Sequence, residues 1–332
     1  MIVRPSFQLP PERDKDLARV IRLEWWSIGF LISIAVVMYM ATGGSQAMRA
    51  AFIEDLISLV PPIAFLVAHR VRQRPPSIEY PYGQHRAALL AFLAAAVAIA
   101  LVALFILYEA GSTLLKQEHP SIGHFYMLGE HWDIWAGWVM IGALIYSVIP
   151  PLILGRKKLP LASALHESTL YADATMNKAD WLTAGAAVLG VLGIGFGLWW
   201  ADAVAALVIG LDVFKDGFGN IKRAMQDLMD HRPADVATGD PLHIETTLSD
   251  MLRQQPEVTD VAVRLREEGQ LIAGEVFILL RSETKVAEQI ERLTNLGLDV
   301  DWRLHDLAMM PVTSGRMAAL RSDGGEPTSA AP

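Results

Sequence analysis

Up to residue 220 the chain consists of long apolar runs that alternate with short polar loops. A transmembrane helix needs about 20 mostly apolar residues to cross the hydrocarbon core of a bilayer. Six runs meet this requirement, at residues 25–43, 47–69, 87–115, 132–154, 176–199 and 201–219. The pattern therefore predicts an all-α membrane domain of six transmembrane helices within residues 21–220.

The pattern changes after Pro233. Residues 241–312 show helical and strand periodicity in the order helix, strand, strand, helix, strand, which predicts a small α+β domain. Residues 267–270 provide the glycine and polar residues of a hairpin turn between the first two strands, and the last strand is expected at 300–304. The other segments are predicted as an N-terminal cytoplasmic segment (1–20), a linker (221–240) and a disordered tail rich in small residues (313–332).

Composition and charge agree with a membrane protein. Apolar residues make up 52% of the chain and charged residues 19%. The absence of cysteine excludes disulfides and thiolate metal sites. A net charge of −8 without a basic face argues against nucleic acid as a partner. Basic residues concentrate in the segments after the second, fourth and sixth runs, which predicts a multi-pass protein of the cell inner membrane with both termini cytoplasmic.

Two of the apolar runs contain acidic residues, which are costly in hydrocarbon unless they are paired or hydrated. In the second run, Glu54 and Ser58 lie one helical turn apart, and Asp55 lies about 100° round the same turn. In the fifth run, Met176 and Asp180 have the same spacing. Oxygen ligands from two helices would form a compact site for a divalent metal cation.

A further pair in the fifth run, Asp173 and Asn177, offers oxygen ligands at the same spacing. Each candidate also has a purely structural interpretation. A carboxylate such as Asp180 can be the buried hydrogen-bond partner of a neighbouring helix, and Met176 can fill space in a helix interface. The presence of acidic residues on two helices favours the interpretation as a cation site.

Three motifs resemble the cation diffusion facilitator family. Residues 171–180, Tyr-Ala-Asp-Ala-Thr-Met-Asn-Lys-Ala-Asp, look like the family's fifth-span segment. Residues 201–203 are similar to the opening of its sixth span, and residues 80–86 to the loop after its second span. The resemblance implies a homodimeric, proton-coupled exporter of divalent metals, with six spans in the lipid bilayer and a cytoplasmic ferredoxin-like domain.

The resemblance also implies a ligand set. Met176 and Asp180 fall on the family's His-x-x-x-Asp pair, and Glu54 and Ser58 fall on its Asp-x-x-x-Asp pair. A shift of one residue in the second run would place Asp55 there instead. Met176 replaces the imidazole most associated with zinc, so a strict preference for zinc is not expected. The expected cation is one of the Zn, Mn, Fe or Co class.

The resemblance extends to the cytoplasmic part. His305 and Asp306 fall where relatives carry metal ligands, although exposed histidines at the end of a strand are also commonly solvated. Arg86 and Asp230 fall on a Lys and an Asp that pair near the family's dimer axis, so they are predicted to form a structural ion pair. In the alternative interpretation, Arg86 only keeps its loop in the cytoplasm and Asp230 is a solvated acid at a helix end.

The predicted function is therefore a secondary transporter of divalent metal ions and protons. An enzyme is not expected, because no His-Glu-x-x-His motif or Ser/His pair lies at membrane depth. No cofactor is expected either, since the metal is the transported substrate. The alternative is a nonconducting membrane scaffold or a metal-sensing protein that acts through its cytoplasmic domain.

Overall fold

A computed structural model gives the fold of residues 9–117, 124–127 and 130–323, with side chains described outside positions 88, 91, 124–127, 130–134 and 176–180. The chain divides into two compact units. One consists mainly of residues 11–226, and the other of residues 227 onward.

The described part of the first unit is helical apart from a short antiparallel hairpin. The helices are α1 (Pro11–Ala41), α2 (Gln46–Ile57), α3 (Val60–Arg72), α4 (Ala87–Lys116), α5 (Ala136–Leu165), α6 (Ser168–Gly195) and α7 (Ala201–Leu228). The hairpin strands, β1 (His124–Met127) and β2 (Glu130–Trp135), directly precede α5.

Each predicted span coincides with helical structure, with differences at the boundaries. The second predicted span is two helices, α2 and α3. The fourth begins at Ala136 and not at residue 132, because the preceding residues belong to β2. Among the described residues, four stretches are long and apolar enough to cross a membrane, namely Pro11–Ala41, Gln46–Arg72, Phe92–Lys116 and Ala136–Leu165. In α6 a shorter stretch, Trp181–Gly195, is apolar, so the count of six spans stays a prediction.

Two prolines cause the break between α2 and α3. A proline lacks the backbone N–H, and its ring collides with the carbonyl four residues earlier in a continuous helix. For Pro61 and Pro62 these carbonyls belong to Ile57 and Ser58, where α2 ends. Both prolines then lie in the first turn of α3, where an N–H would have no partner within the helix.

The helices bury a shared core and present other apolar side chains outward. The core includes Met38 of α1, Met48 of α2, Leu144 of α5 and Ile209 of α7, all almost completely buried. Large apolar side chains on α1, α4 and α6 are exposed, for example Tyr39, Met40, Leu101, Tyr108 and Leu189. An apolar surface of this kind is expected where helices face lipid and not water.

The second unit is a three-stranded sheet with helices. Its elements are α8 (Ile244–Arg253), β3 (Val258–Glu268), β4 (Leu271–Leu280), α9 (Val286–Leu298), β5 (Leu304–Pro311) and α10 (Ser314–Asp323). β3 and β4 are antiparallel, and β5 pairs in parallel with β4, so the strand order is β3-β4-β5. Leu248 of α8 and Leu293 of α9 are fully buried against the sheet.

The order of elements agrees with the predicted α+β pattern, including the hairpin turn. Gly269 has φ of +76°, which glycine adopts without strain at the first position of a two-residue turn. Two predictions are wrong in detail. The last strand is 304–311 and not 300–304, and part of the tail predicted as disordered is the helix α10. The predicted linker also begins as helix, because α7 continues to Leu228.

Candidate functional site

The acidic residues of the second predicted span lie on the last turn of α2, immediately before the proline break. Ser58 ends the helix: its backbone N–H and its hydroxyl both donate to the carbonyl of Glu54, at 2.9 Å and 3.0 Å. Ser58 is 7% exposed, whereas Glu54 and Asp55 are half-buried. The break therefore ends the helix at the residues that were predicted to bind the cation.

Asp55 has a carboxylate oxygen at this position that makes no hydrogen bond to a described residue. Its Oδ2 atom is buried and has no hydrogen-bond partner among the described residues. A buried carboxylate oxygen without a donor is energetically costly unless a cation or a proton binds to it. This property distinguishes Asp55 from a carboxylate that serves only as a structural hydrogen-bond partner.

The other half of the predicted site lies on α6, which packs beside both α2 and α3. At one end Gly190 lies against Ala47, where a Cβ at position 190 would be 3.3 Å from the Cβ of Ala47. At the other end Arg72 Nη1 lies 2.8 Å from Glu167 Oε2, and both side chains are largely buried. These two contacts show that α6 runs antiparallel to the α2–α3 segment.

The antiparallel register indicates which positions share a level in the bundle. Ala47 lies level with Gly190, and Arg72 lies level with Glu167. Because α-helices rise by the same distance per residue, counting inward along both segments from these two contacts places position 180 at about the level of position 58. Met176, Asn177 and Asp180 belong to the helical part of α6, but their side chains lie outside the described ones. Their role as ligands stays a prediction, and so does the assignment of Glu54, Asp55 and Ser58. Among the described residues no group of three His, Asp or Glu side chains could hold a metal.

Asp202 fixes the beginning of α2. Its fully buried carboxylate accepts hydrogen bonds from Ser45 Oγ at 2.6 Å, Gln46 N at 2.5 Å and Ala47 N at 3.1 Å. Ser45 Oγ in turn accepts from the backbone N–H of Met48. Asp202 is an acidic residue in the first turn of its own helix, α7, where an anion is favoured. The structure adds that it caps the N-terminus of α2, whose unpaired N–H groups favour an anion.

A buried charge cluster joins α1, α5 and α6. Lys158 Nζ donates to Glu24 Oε2 at 2.9 Å and to Asp173 Oδ2 at 2.5 Å. The side chains of Lys158 and Glu24 are 0% exposed, and that of Asp173 is 5% exposed. Lys158 belongs to the basic segment after the fourth apolar run, and the structure places it within α5. Asp173 was predicted as a possible metal ligand, but its carboxylate binds this ammonium group.

The ion pair predicted between Arg86 and Asp230 joins residues of different units. Arg86 caps the N-terminus of α4, and Asp230 follows α7 with φ of +59°. Within the second unit, Asp230 Oδ1 lies 3.7 Å from Nε of Arg266. Their pairing with each other stays a prediction. His305 and Asp306 are half-buried on β5, and their role as metal ligands also stays a prediction.

Comparison with known proteins supports a transporter. The family described as "Cation efflux transmembrane domain" matches residues 25–229. The "Manganese efflux system protein MneS" of Bacillus subtilis is 30% identical over 188 residues, which are 56% of this chain and 59% of that protein. The "Cation-efflux pump FieF" of Shewanella oneidensis is 24% identical over 277 residues, 83% of this chain and 86% of that protein. The "Uncharacterized transporter YdbO" of Bacillus subtilis is 26% identical over 267 residues, 73% of this chain and 83% of that protein.

The family match covers more than half of the chain and contains both helices of the candidate site, Asp202, and the Lys158 and Asp173 members of the buried charge cluster. The chain therefore belongs to the cation efflux, or cation diffusion facilitator, family of membrane transporters.

Proposed function

We propose that this protein exports a divalent metal cation across the cell inner membrane in exchange for protons. In this proposal it acts as a homodimer, with six spans per protomer and both termini in the cytoplasm. The cation binds between α2 and α6, held by Asp180 and Met176 on one side and by Glu54, Asp55 and Ser58 on the other. The second unit contributes a cytoplasmic domain with the helix and strand order of a ferredoxin-like fold.

The observation that carries the proposal is the buried Oδ2 atom of Asp55, which has no hydrogen-bond partner among the described residues and lies on a helix that packs beside α6 in a member of this family. Glu54 and Asp55 both belong to the last turn of α2, so either carboxylate can serve as the main ligand from this helix. The antiparallel register of α2–α3 and α6 supports Asp180 as the partner ligand, since position 180 is level with Ser58.

The donor set favours a hard cation. The carboxylate and hydroxyl oxygens of the proposed set suit Mn²⁺ better than they suit a zinc-selective site, and the set contains no imidazole, its one softer ligand being the thioether of Met176. The relative with 30% identity is described as a manganese efflux protein, which points in the same direction. We therefore expect Mn²⁺ to be transported at least as well as Zn²⁺, with Fe²⁺ and Co²⁺ as further candidates.

The break between α2 and α3 suits alternating access. Unwound segments at the middle of a membrane helix commonly carry the binding site of a transporter. Here the break at Ser58 and Leu59 lies one helical turn after Glu54. A tilt of α3 relative to α2 therefore changes the access to the ligands while α2 stays folded. Asp202 and Ser45 hold the other end of α2 in place during this motion.

Purified protein in proteoliposomes tests the proposal. Uptake of Zn²⁺, Mn²⁺, Fe²⁺ and Co²⁺ is measured under an imposed pH gradient, for the native chain, for Asp180→Ala and for the control Asp14→Ala at an exposed position of α1. We expect metal uptake by the native chain and the control, and none by Asp180→Ala in a folded dimer. Native flux in Asp180→Ala would contradict its role as a ligand. Absence of flux for all four metals in the native chain would favour a scaffold or a metal-sensing protein.

A further inference from the structure

The cluster of Glu24, Lys158 and Asp173 is completely enclosed by protein, yet its charges do not balance. Two carboxylates surround one ammonium group, so the fully ionised cluster carries one excess negative charge. Taking an uncompensated charge out of water is costly, and more so inside a membrane protein. One bound monocation would make the cluster neutral.

The hydrogen bonds show where that cation would bind. Lys158 occupies Oε2 of Glu24 and Oδ2 of Asp173. The second oxygen of Glu24, Oε1, is buried and has no partner among the described residues. The hydroxyl of Ser27, one helical turn further along α1 on the same face, is also buried and has no partner among them. On this face of α1, an acceptor and a hydroxyl that make no hydrogen bond to any described residue are therefore one turn apart beside the excess charge.

Basic residues on the helices beside α1 have carboxylate partners other than Glu24. α1 packs against α2, α3 and α5. On α2, Arg49 pairs with Glu109, and on α3, Arg72 pairs with Glu167. Among the described ion pairs, the groups that face Glu24 are Lys158 from α5 and Asp173 from α6. Within the part of the chain whose side chains are described, the charge around Glu24 is therefore set by these two groups.

We propose that Glu24 is a proton-binding site of this transporter, separate from the cation ligands of α2 and α6. One proton from water binds Oε1 of Glu24 and converts the carboxylate to a carboxylic acid, and the cluster becomes neutral. The acid can donate to Ser27 Oγ, which gives both unpaired groups a partner. This inference rests on the proposed function, because it assigns the proton that the transporter exchanges for the metal.

The position of the cluster suits this role. Trp25 and Trp26, which follow Glu24, are 63% and 58% exposed, as expected of aromatic residues near a membrane–water boundary. Asp173 lies near the beginning of α6, the helix that also carries Asp180. When a tilt of α6 separates Asp173 from Lys158, the ammonium group is paired with Glu24 alone. The ionised form of Glu24 is then favoured, and the proton leaves as the cation site changes its access.

Infrared difference spectroscopy of the purified full-length protein tests the proton site directly, because a protonated carboxyl group has its own absorption band. At neutral pH we expect this band in the native protein and its loss in Glu24→Gln. We also expect its loss in Asp173→Asn, because removing one carboxylate leaves a balanced ion pair that needs no proton. The control Glu12→Gln, at an exposed position of the same helix, retains the band. An undiminished band in folded Glu24→Gln or Asp173→Asn would overturn the proposal.

Transport in proteoliposomes tests the coupling, with Mn²⁺ as the probe and a pH-sensitive dye inside the vesicles. Glu24→Gln should lose Mn²⁺ uptake driven by the pH gradient and the accompanying proton flux, while Mn²⁺–Mn²⁺ exchange, which moves no proton, persists. Proton-coupled uptake at the native rate in Glu24→Gln would overturn the proposal. If the native chain moves no metal at all, the proposed function fails, and the infrared band still decides whether Glu24 binds a proton.

Discussion

Removal of Asp202 tests how much a buried carboxylate that is not a proposed cation ligand stabilises the fold. Its carboxylate accepts three hydrogen bonds at the N-terminus of α2 and lies far along the chain from the groups that donate them. In Asp202→Ala the Ser45 hydroxyl and two backbone N–H groups lose their acceptor in a buried environment. At roughly 1 kcal/mol for each unmade bond, the loss of stability is about 3 kcal/mol.

The conservative variant should have a smaller effect. Asp202→Asn keeps one acceptor oxygen but places an amide N–H₂ group opposite a backbone donor. We expect a loss of roughly 1–2 kcal/mol, because part of the network remains. The matched control is Lys215→Ala, an exposed position on the same helix, which should change stability by less than about 0.5 kcal/mol.

Reversible unfolding in mixed detergent micelles, followed by tryptophan fluorescence, measures these differences. Ser45→Ala combined with Asp202→Ala adds a second check. Because the two groups belong to one network, the double variant should be less destabilised than the sum of the single variants. Additive effects, or an Asp202→Ala protein as stable as Lys215→Ala, would refute the conclusion that Asp202 anchors α2.

Three further experiments address the cation site and the packing of the helices around it. Met176→His should raise the transport of Zn²⁺ relative to Mn²⁺ in proteoliposomes, because imidazole is a good zinc ligand; an unchanged ratio would mean that this side chain does not face the ion. Alanine substitutions of Arg72 and Glu167, singly and together, should give a coupling energy of roughly 0.5–3 kcal/mol in unfolding experiments, and zero coupling would contradict a buried ion pair. Gly190→Leu should abolish transport by forcing α6 away from α7 and α2, whereas Gly185→Leu, which has open space around its Cβ, should retain it; equal activity would contradict the close packing.

Several features of the fold could be predicted from the sequence because they depend on local properties. The length of the apolar runs, the order of elements in the second unit and its glycine turn all follow from periodicity and turn chemistry. Errors occurred where a local pattern was ambiguous. Residues 132–135 are apolar enough to extend a span, but they pair with a neighbouring strand, and α10 lies in a segment whose composition suggested disorder.

The partners of the buried charges could not be predicted, because they come from distant parts of the chain. Lys158 is adjacent to Arg156 and Lys157 and looked like part of a basic loop, yet it is enclosed between α1 and α6. Its partner Glu24 is 134 positions away, and Asp202 is 157 positions from Ser45. Sequence spacing carries no information about such contacts.

The sequence by itself therefore determined the class of protein, its helical membrane character and which carboxylates are candidates for a cation pathway. These properties depend on hydrophobicity and on the cost of charge in lipid, which can be read residue by residue. Only the tertiary structure decided which carboxylates are already neutralised and which keep an unpaired oxygen. Asp173 binds Lys158, whereas Asp55 and Glu24 each retain a buried oxygen without a described partner. The physical reason is that electrostatic compensation depends on distances of a few ångströms, which only the packing of the helices creates.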